Sequence, residues 1–270
     1  MNVFDHLFWI VLVLITVKLI ITLNTKLWLL FGLVAGLGLQ NKISVLFLLF
    51  GIVLGFLLTR QRRLLFNKHA YMGAALAFLL FLPHLIWHYT NGWPTLEFMA
   101  NASLSKNVHF SALDFYIEQI MNMNPAAFPV WIGGFIFLFT KRLTSFRLFA
   151  FAYIAIFTIL VIQHGKPYYL YPIYPLLFSC GAVLFEILFR KPWAWLKPVT
   201  IIAIVSGGLF ALPMALPILP VETFLTWQQK TGMAPTPQEN HDMGLLPQHF
   251  ADMHGWQSLA QSETLWVSKC

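Results

Sequence analysis

The chain has 270 residues, of which 59% are hydrophobic and only 10% are charged. A soluble domain carries about 25% charged residues, so this composition excludes an ordinary soluble protein and predicts an all-α polytopic membrane protein. The net charge of +7 gives no reason to expect a nucleic-acid partner, because most basic residues lie in short loops between apolar runs, where the positive-inside rule places them.

Apolar runs that could cross a membrane follow one another through most of the chain. A crossing helix needs about 20 largely apolar residues. The run 27–39 has only 13, so it is expected either to form a short span or to enter and leave on one side. Its glycines, Gly32, Gly36 and Gly38, would let it pack close to a neighbouring helix. Seven to eight membrane helices are predicted. The other runs are 6–23, 43–59, 70–88, 125–140, 147–163, 169–189 and 197–217.

Three of the loops between these runs are strongly basic. Pairs of spans separate them, so all three can lie on the cytoplasmic side. The segments 89–124 and 164–168 and the tail 218–270 then face outward. The sequence therefore predicts a membrane bundle over residues 1–217 with an outer loop at 89–124, followed by an incomplete outer domain at 218–270. The basic residues are Arg60, Arg62, Arg63 and Lys68 in the first loop, Lys141, Arg142 and Arg147 in the second, and Arg190, Lys191 and Lys197 in the third.

The outer loop contains a predicted amphipathic helix at 112–122. Ser111 with Asp114 three residues later is a capping-box-like start, and apolar residues then recur at helical spacing. A helix of this kind on the outer membrane face would either cover the bundle or act as a lid over a substrate site.

Two lysines at outer turns are candidate phosphate ligands. Lys42 lies between two apolar runs, and Lys166 is followed by four tyrosines, of which Tyr168 and Tyr169 are the nearest. A point cation beside hydroxyl groups suits a phosphate oxygen or a sugar. The alternatives are a snorkelling interfacial lysine for Lys42 and an aromatic belt with one outer lysine for Lys166.

A pair of histidines marks the outer end of another span. His84 and His88 lie one turn apart on one helical face, and Glu97 is close in sequence. They could bind a divalent metal, line a polar cavity or make structural hydrogen bonds. A metal site usually needs three or four ligands, and the sequence fixes no third one. A divalent metal is therefore a possible cofactor, but no residue is assigned as its ligand.

Several patterns of known enzymes and transporters are missing from the sequence. It contains no P-loop and no G-x-S-x-G motif. It shows no ladder of intramembrane carboxylates and no internal repeat of the kind found in secondary transporters. A transporter is therefore disfavoured.

Four stretches occur in a characteristic order: 'LWLLFGLVAGLGLQNKISVLFLLFGIVLGFLLTRQRRLL', 'FLPHLIWHYTNGWPTLEF', 'GKPYYLYPIYPLLFSCGAVLFE' and 'LPQHFADMHGW'. Together they resemble the bacterial glycosyltransferase family 39 proteins, relatives of the dolichyl-phosphate-mannose–protein mannosyltransferases and of the aminoarabinose transferases of lipid A. The resemblance covers nearly the whole chain.

The resemblance implies a GT-C helix bundle in the bacterial inner membrane, with the active site facing the periplasm. Members of the family take a sugar from a polyprenyl-phosphate carrier and pass it to a lipid or protein acceptor, usually with inversion at the sugar carbon. By resemblance, the lysine after the glycine-rich run and the 'KPYYLYP' motif line the cavity that holds the carrier phosphate. The candidate binding residues are Lys42, Lys166, Tyr168, Tyr169, His84, His88 and Glu97.

One feature of the family is missing from this sequence. Family members carry an acidic motif in the first outer loop, whose aspartate is the proposed general base. Here Asp5 is the only acid before Glu97, and its context 'MNVFDHLFW' is interpreted as the start of a helix. The expectation is therefore a member shortened at both ends, without the catalytic acidic loop. The alternative function is a non-catalytic polyprenyl-phosphate-binding or assembly protein.

Overall fold

The computed structural model describes residues 2–101, 108, 110–233 and 244–260. Within these ranges the chain forms helices joined by short turns and contains no β-strand, which confirms the all-α prediction. The α-helices are α1 (Asn2–Thr22), α2 (Leu27–Asn41), α3 (Val45–Leu57), α4 (Lys68–Thr90), α5 (Pro94–Asn101), α6 (Ala112–Asn122), α7 (Phe128–Phe137), α8 (Leu148–Ile162), α9 (Tyr174–Leu188), α10 (Leu196–Ala215), α11 (Val221–Thr231) and α12 (Gln248–Ala251). Short 3₁₀ segments occur at Arg60–Leu64, Pro125–Ala127, Lys141–Phe146, Pro167–Ile173 and Trp193–Trp195.

Every apolar run of the sequence is helical in the structure, and the chain is a polytopic helical membrane protein. Four helical stretches are long and apolar enough to cross a membrane: Asn2–Thr22, Lys68–Thr90, Pro167–Leu188 and Trp193–Ala215. A fifth crossing results if α6 and the following helix, which bend by 97° at their junction, form one span. The helices α2, α3 and α8 are apolar but shorter, so the total of seven to eight crossings stays a prediction.

Glycines bring the helices of the bundle into backbone contact, as predicted for the run 27–39. A Cβ atom on Gly32 would collide with the backbone of Gly73, so α2 and α4 touch without intervening side chains. In the same way, a Cβ atom on Gly55 would collide with the backbone of Leu148, which joins the end of α3 to the start of α8. Small residues are favoured at such membrane contacts because they allow close van der Waals packing.

Polar side chains fix the direction in which the first helices run. At one end, the Thr25 hydroxyl lies 2.9 Å from Nδ1 of His69, and Trp28 Nε1 donates to the Leu64 carbonyl at 2.7 Å. At the other end, Gln40 Nε2 donates to the Leu80 carbonyl at 2.5 Å. Because the contacts advance together along both helices, α2 and α4 are parallel, and α3, which connects them in sequence, runs in the opposite direction. Lys42, at the end of α2, therefore lies far from the basic loop that follows α3.

The predicted amphipathic helix is present as α6 and covers part of the bundle. The Ser111 hydroxyl accepts a hydrogen bond from the Asp114 amide at its start. Gln119 is fully buried; its amide nitrogen donates to the Pro167 carbonyl at 3.2 Å, and the Tyr174 hydroxyl donates to its carbonyl oxygen at 3.2 Å. These bonds attach α6 to the tyrosine-rich segment below it.

The described part of the tail packs on the end of α10. Phe224 of α11 and Phe250 of α12 are buried against each other, with ring centroids 5.3 Å apart. His249 Nε2 lies 2.9 Å from the Met214 carbonyl. The predicted outer domain 218–270 includes residues 234–243 and 261–270, which lie outside the described ranges.

Candidate functional site

The Lys42 side chain occupies a cluster built from the first helix, the α2–α3 turn and the tyrosine-rich segment. Lys42 ends α2 with an extended backbone (φ −158°, ψ 131°), which redirects the chain into the turn before α3. Its ammonium nitrogen donates to Oδ1 of Asn2 at 3.0 Å and lies 3.4 Å from Oδ2 of Asp5. The Lys42 side chain is 17% exposed, so the ammonium group lies at the edge of the bundle interior.

Asp5 is the buried counter-ion of this cluster. Its side chain is only 2% exposed, and it lies in the first turn of α1, where the helix dipole favours a negative charge. The Ser44 hydroxyl lies 2.8 Å and 2.9 Å from its two carboxylate oxygens. A buried carboxylate needs such partners because water does not reach it. The sequence interpretation of Asp5 as part of a helix start is correct in position, but it missed the ion pair with Lys42.

Two tyrosine rings complete the surroundings of the Lys42 ammonium group. The nitrogen lies 5.2 Å from the ring centroid of Tyr168 and 4.8 Å from that of Tyr169. Both distances are within the range of cation–π attraction. The two rings are also neighbours, with centroids 4.6 Å apart, and Tyr169 packs near Phe47 of α3. The structure therefore brings together three of the predicted binding residues, although Lys42 is more than 100 positions from the two tyrosines in the sequence.

Lys166 stands at the start of the same tyrosine-rich segment. It is half-buried and precedes the 3₁₀ turn Pro167–Ile173, in which its carbonyl accepts a hydrogen bond from the Tyr169 amide at 3.1 Å. Gln119 of α6 holds the next residue, Pro167, from outside. The segment that carries Lys166 and the two tyrosines is thus fixed on both sides, and it supplies a second cation to this end of the bundle.

The histidines form a separate group on α4. The rings of His84 and His88 contact each other with centroids 4.4 Å apart. His88 is buried, its Nε2 lies 3.2 Å from the Thr95 hydroxyl, and its ring stacks on Trp93. Glu97 is exposed in the first turn of α5. Within the described ranges no three histidine, cysteine or acidic side chains approach closely enough to hold a metal ion. The local contacts of the pair are those of an aromatic stack with one hydrogen bond.

The Lys42 cluster has the groups needed to bind an anion that is attached to a sugar or to an apolar group. An ammonium group has three hydrogen-bond donors, and Asn2 and Asp5 account for two of them at Lys42. A phosphate oxygen is a suitable acceptor for the remaining donor. The tyrosine rings offer flat apolar faces, and the helices around them offer a surface for a lipid chain.

Sequence reasoning missed the acidic half of the cluster, although a signal was present. Asp5 is the only acidic residue among the first 96, and it begins an otherwise apolar helix. A carboxylate in such a helix is costly unless a cation compensates it. Only three lysines, Lys18, Lys26 and Lys42, precede the first basic loop, so a search for the partner of Asp5 would have considered Lys42.

The comparisons agree with the resemblance noted in the sequence. Residues 1–87 match the family model described as dolichyl-phosphate-mannose-protein mannosyltransferase. The matched region contains Asp5, Lys42 and Ser44 and ends before the tyrosine-rich segment. No curated protein and no solved structure matches the chain. The family match and the apolar helices together indicate a glycosyltransferase-like membrane protein.

Proposed function

We propose that the Lys42 cluster binds the phosphate of a polyprenyl-phosphate-linked sugar and that the chain takes part in transfer of that sugar to a lipid or protein acceptor. The observation that supports this most directly is the Lys42 ammonium group, held between Asp5 and the rings of Tyr168 and Tyr169. It lies within the region that matches the mannosyltransferase family. The proposed location is the outer, periplasmic side of a bacterial inner membrane.

The chemistry of such a transfer places a defined demand on the cations. The bond between the anomeric carbon and the phosphate oxygen breaks, and its electron pair remains on the phosphate. The acceptor oxygen forms a new bond to the same carbon and gives its proton to a base. Lys42 and Lys166 would stabilise the negative charge that develops on the departing phosphate. The tyrosine rings would pack against the sugar or the first isoprene units.

The position of Asp5 favours a second, more limited function, in which the chain binds the carrier lipid but does not itself catalyse sugar transfer. A base must reach the acceptor hydroxyl, but Asp5 is buried, and both of its carboxylate oxygens lie within hydrogen-bond distance of the Ser44 hydroxyl. An acceptor could reach it only by displacing Ser44 or Lys42. We therefore propose that the chain alone binds polyprenyl phosphate without transferring sugar, and that a group outside this cluster would activate the acceptor.

A binding experiment on the purified chain tests the phosphate site. Native mass spectrometry would compare polyprenyl phosphate with the uncharged polyprenol of equal chain length. The informative variant is Lys42→Ala combined with Asp5→Asn, because it removes the cation without leaving a buried carboxylate unpaired. Loss of the preference for the phosphate form is expected in this variant and in Lys166→Ala. The exposed Lys18 of α1 supplies the control, Lys18→Ala, which should keep the preference.

Two results would contradict the proposal. Equal affinity of the unmodified chain for polyprenol and polyprenyl phosphate would show that no phosphate site exists. Measurable sugar transfer from a polyprenyl-phosphate sugar by the 270-residue chain would show that the more limited function is wrong. In that case the loss of transfer in Asp5→Asn would identify Asp5 as the base.

A further inference from the structure

A polar cavity lies at the end of the bundle opposite Lys42. It has a volume of about 670 Å³ and is lined by the loop after α3 and the loop before α8. Three cationic side chains line it together with hydroxyl groups. The polar side chains that line it include Thr59, Arg60, Lys141, Thr144, Ser145 and Arg147.

The positive charge of this cavity has no acidic partner in the segments that build it. The sequence contains no aspartate or glutamate between Asp5 and Glu97, or between Glu118 and Glu186. Asp5 lies at the opposite end of α1, and Glu186, near the end of α9, pairs with Lys197 at 2.6 Å. Like charges held close to one another favour an anion that enters between them.

Arg147 contributes a specific hydrogen-bonding feature. One of its terminal nitrogens donates to the Phe139 carbonyl at 2.8 Å. Its Nε is buried and has no hydrogen-bond partner among the described residues. A guanidinium group presents several donors in one plane, and this geometry matches a phosphate group. Because Arg147 lines the cavity, an anion there would meet a guanidinium group that is already held in place by its bond to Phe139.

The walls of the cavity are fixed by the helices on which they stand. Gly55 lies one turn before Thr59 and touches the backbone of Leu148, the residue after Arg147. The Thr59 hydroxyl donates to the Gly55 carbonyl at 2.9 Å, and the Thr144 hydroxyl donates to the Lys141 carbonyl at 3.0 Å. The two basic loops are thus held together by the close contact of α3 with α8, so the cavity is formed before any ligand binds.

We propose that this cavity binds the phosphate headgroup of an anionic phospholipid. Its volume is within the range of about 300–1,000 Å³ that is usual for small-molecule sites, and it exceeds the volume of a bare phosphate. Leu58 and Phe151 also line it, and Leu58 is 57% exposed, so an apolar surface continues from the cavity to the outside of the bundle. Acyl chains would follow this surface. Basic pockets between membrane helices are suited to such headgroups. The proposal does not depend on the function of the Lys42 cluster.

The test compares two double variants with the same change in charge. Arg60→Gln with Lys141→Gln removes two cations that line the cavity. Arg62→Gln with Arg63→Gln removes two exposed cations that do not line it, both in the loop that carries Arg60. Binding of phosphatidylglycerol to the purified chain, measured by native mass spectrometry, should weaken about 10- to 30-fold in the first variant. The second variant should bind like the unmodified chain. Thermal unfolding of both variants checks that they fold.

The ligands in the same experiment separate a lipid from a free phosphate. We expect binding of phosphatidylglycerol, and at least tenfold weaker binding of phosphatidylcholine, inorganic phosphate and glycerol phosphate. Equal weakening in both double variants would overturn the proposal, because it would indicate a general surface potential. Binding of inorganic phosphate as tight as that of phosphatidylglycerol would also overturn it, since the lipid chain would then contribute nothing.

Discussion

Replacing Lys42 by alanine should destabilise the fold mainly through Asp5. Removal of one member of a buried ion pair costs about 3–5 kcal/mol when the other charge is left uncompensated. Here the remaining carboxylate is 2% exposed but still accepts from Ser44, and the lost ammonium group was itself 17% exposed. Allowing for the retained hydrogen bonds, we expect a loss of about 2–3 kcal/mol in the free energy of unfolding.

A double-mutant cycle separates the ion pair from the other contacts of Lys42. Asp5→Asn keeps an oxygen that can accept from Ser44 but removes the negative charge. If the pair stabilises the fold, the loss in the combined variant should be about 1–2 kcal/mol smaller than the sum of the two single losses. Denaturant titration in mixed micelles, followed by tryptophan fluorescence, gives the four free energies, with Lys18→Ala as an exposed control. Single losses that add within about 0.5 kcal/mol would refute the coupling.

Three further predictions concern the bundle itself. Single cysteines at Lys68 and at Leu113, in a chain without its native cysteines, should be labelled from opposite sides of the membrane; labelling from the same side would contradict the predicted topology. Gly55→Ala should lower the free energy of unfolding by about 1–3 kcal/mol, because the added Cβ atom would collide with the backbone of Leu148. The control Gly244→Ala should change it by less than about 0.5 kcal/mol, because no atom lies close to the position of its Cβ. Gln119→Leu should lower the free energy of unfolding by about 1–3 kcal/mol, because it leaves buried hydrogen-bonding groups unpaired. It should also speed amide hydrogen exchange in α6, and unchanged exchange would show that this side chain does not hold the helix in place.

The helices could be predicted from the sequence because their cause is local. An apolar run in a membrane must have its backbone hydrogen bonds satisfied, and a helix is the structure that does so within a single segment. The amphipathic helix α6 was predictable for a similar reason, since its cap at Ser111 and its apolar spacing are written in consecutive residues. The 97° bend after it was not predictable. It depends on Asn124, which adopts a positive φ of 67° and donates to the Ile204 carbonyl of α10, 80 residues away.

The candidate site was predictable only on its cationic side. Lys42, Tyr168 and Tyr169 were identified because lysines and tyrosines at the ends of apolar runs are conspicuous. Their mutual contact depends on the packing of α1 and α2 against the tyrosine-rich segment, which no local pattern encodes. Asp5 was passed over because its neighbours look like an ordinary helix start. Its role becomes visible only when Ser44 and Lys42 are placed around it.

The compensation of Lys42 by Asp5 determines how a phosphate can bind at this end of the bundle. With Asp5 at 3.4 Å, the ammonium group is already partly neutralised, so its attraction for an additional anion is reduced. A phosphate would therefore depend on the second cation, Lys166, and on hydroxyl or aromatic contacts of the adjacent tyrosines. The polyprenyl chain would have to supply much of the remaining affinity through burial of apolar surface. Under the proposed function, the site would select a phosphate carried on a long lipid over free phosphate, because the partly neutralised cation and the lipid-facing surface would each contribute only part of the affinity.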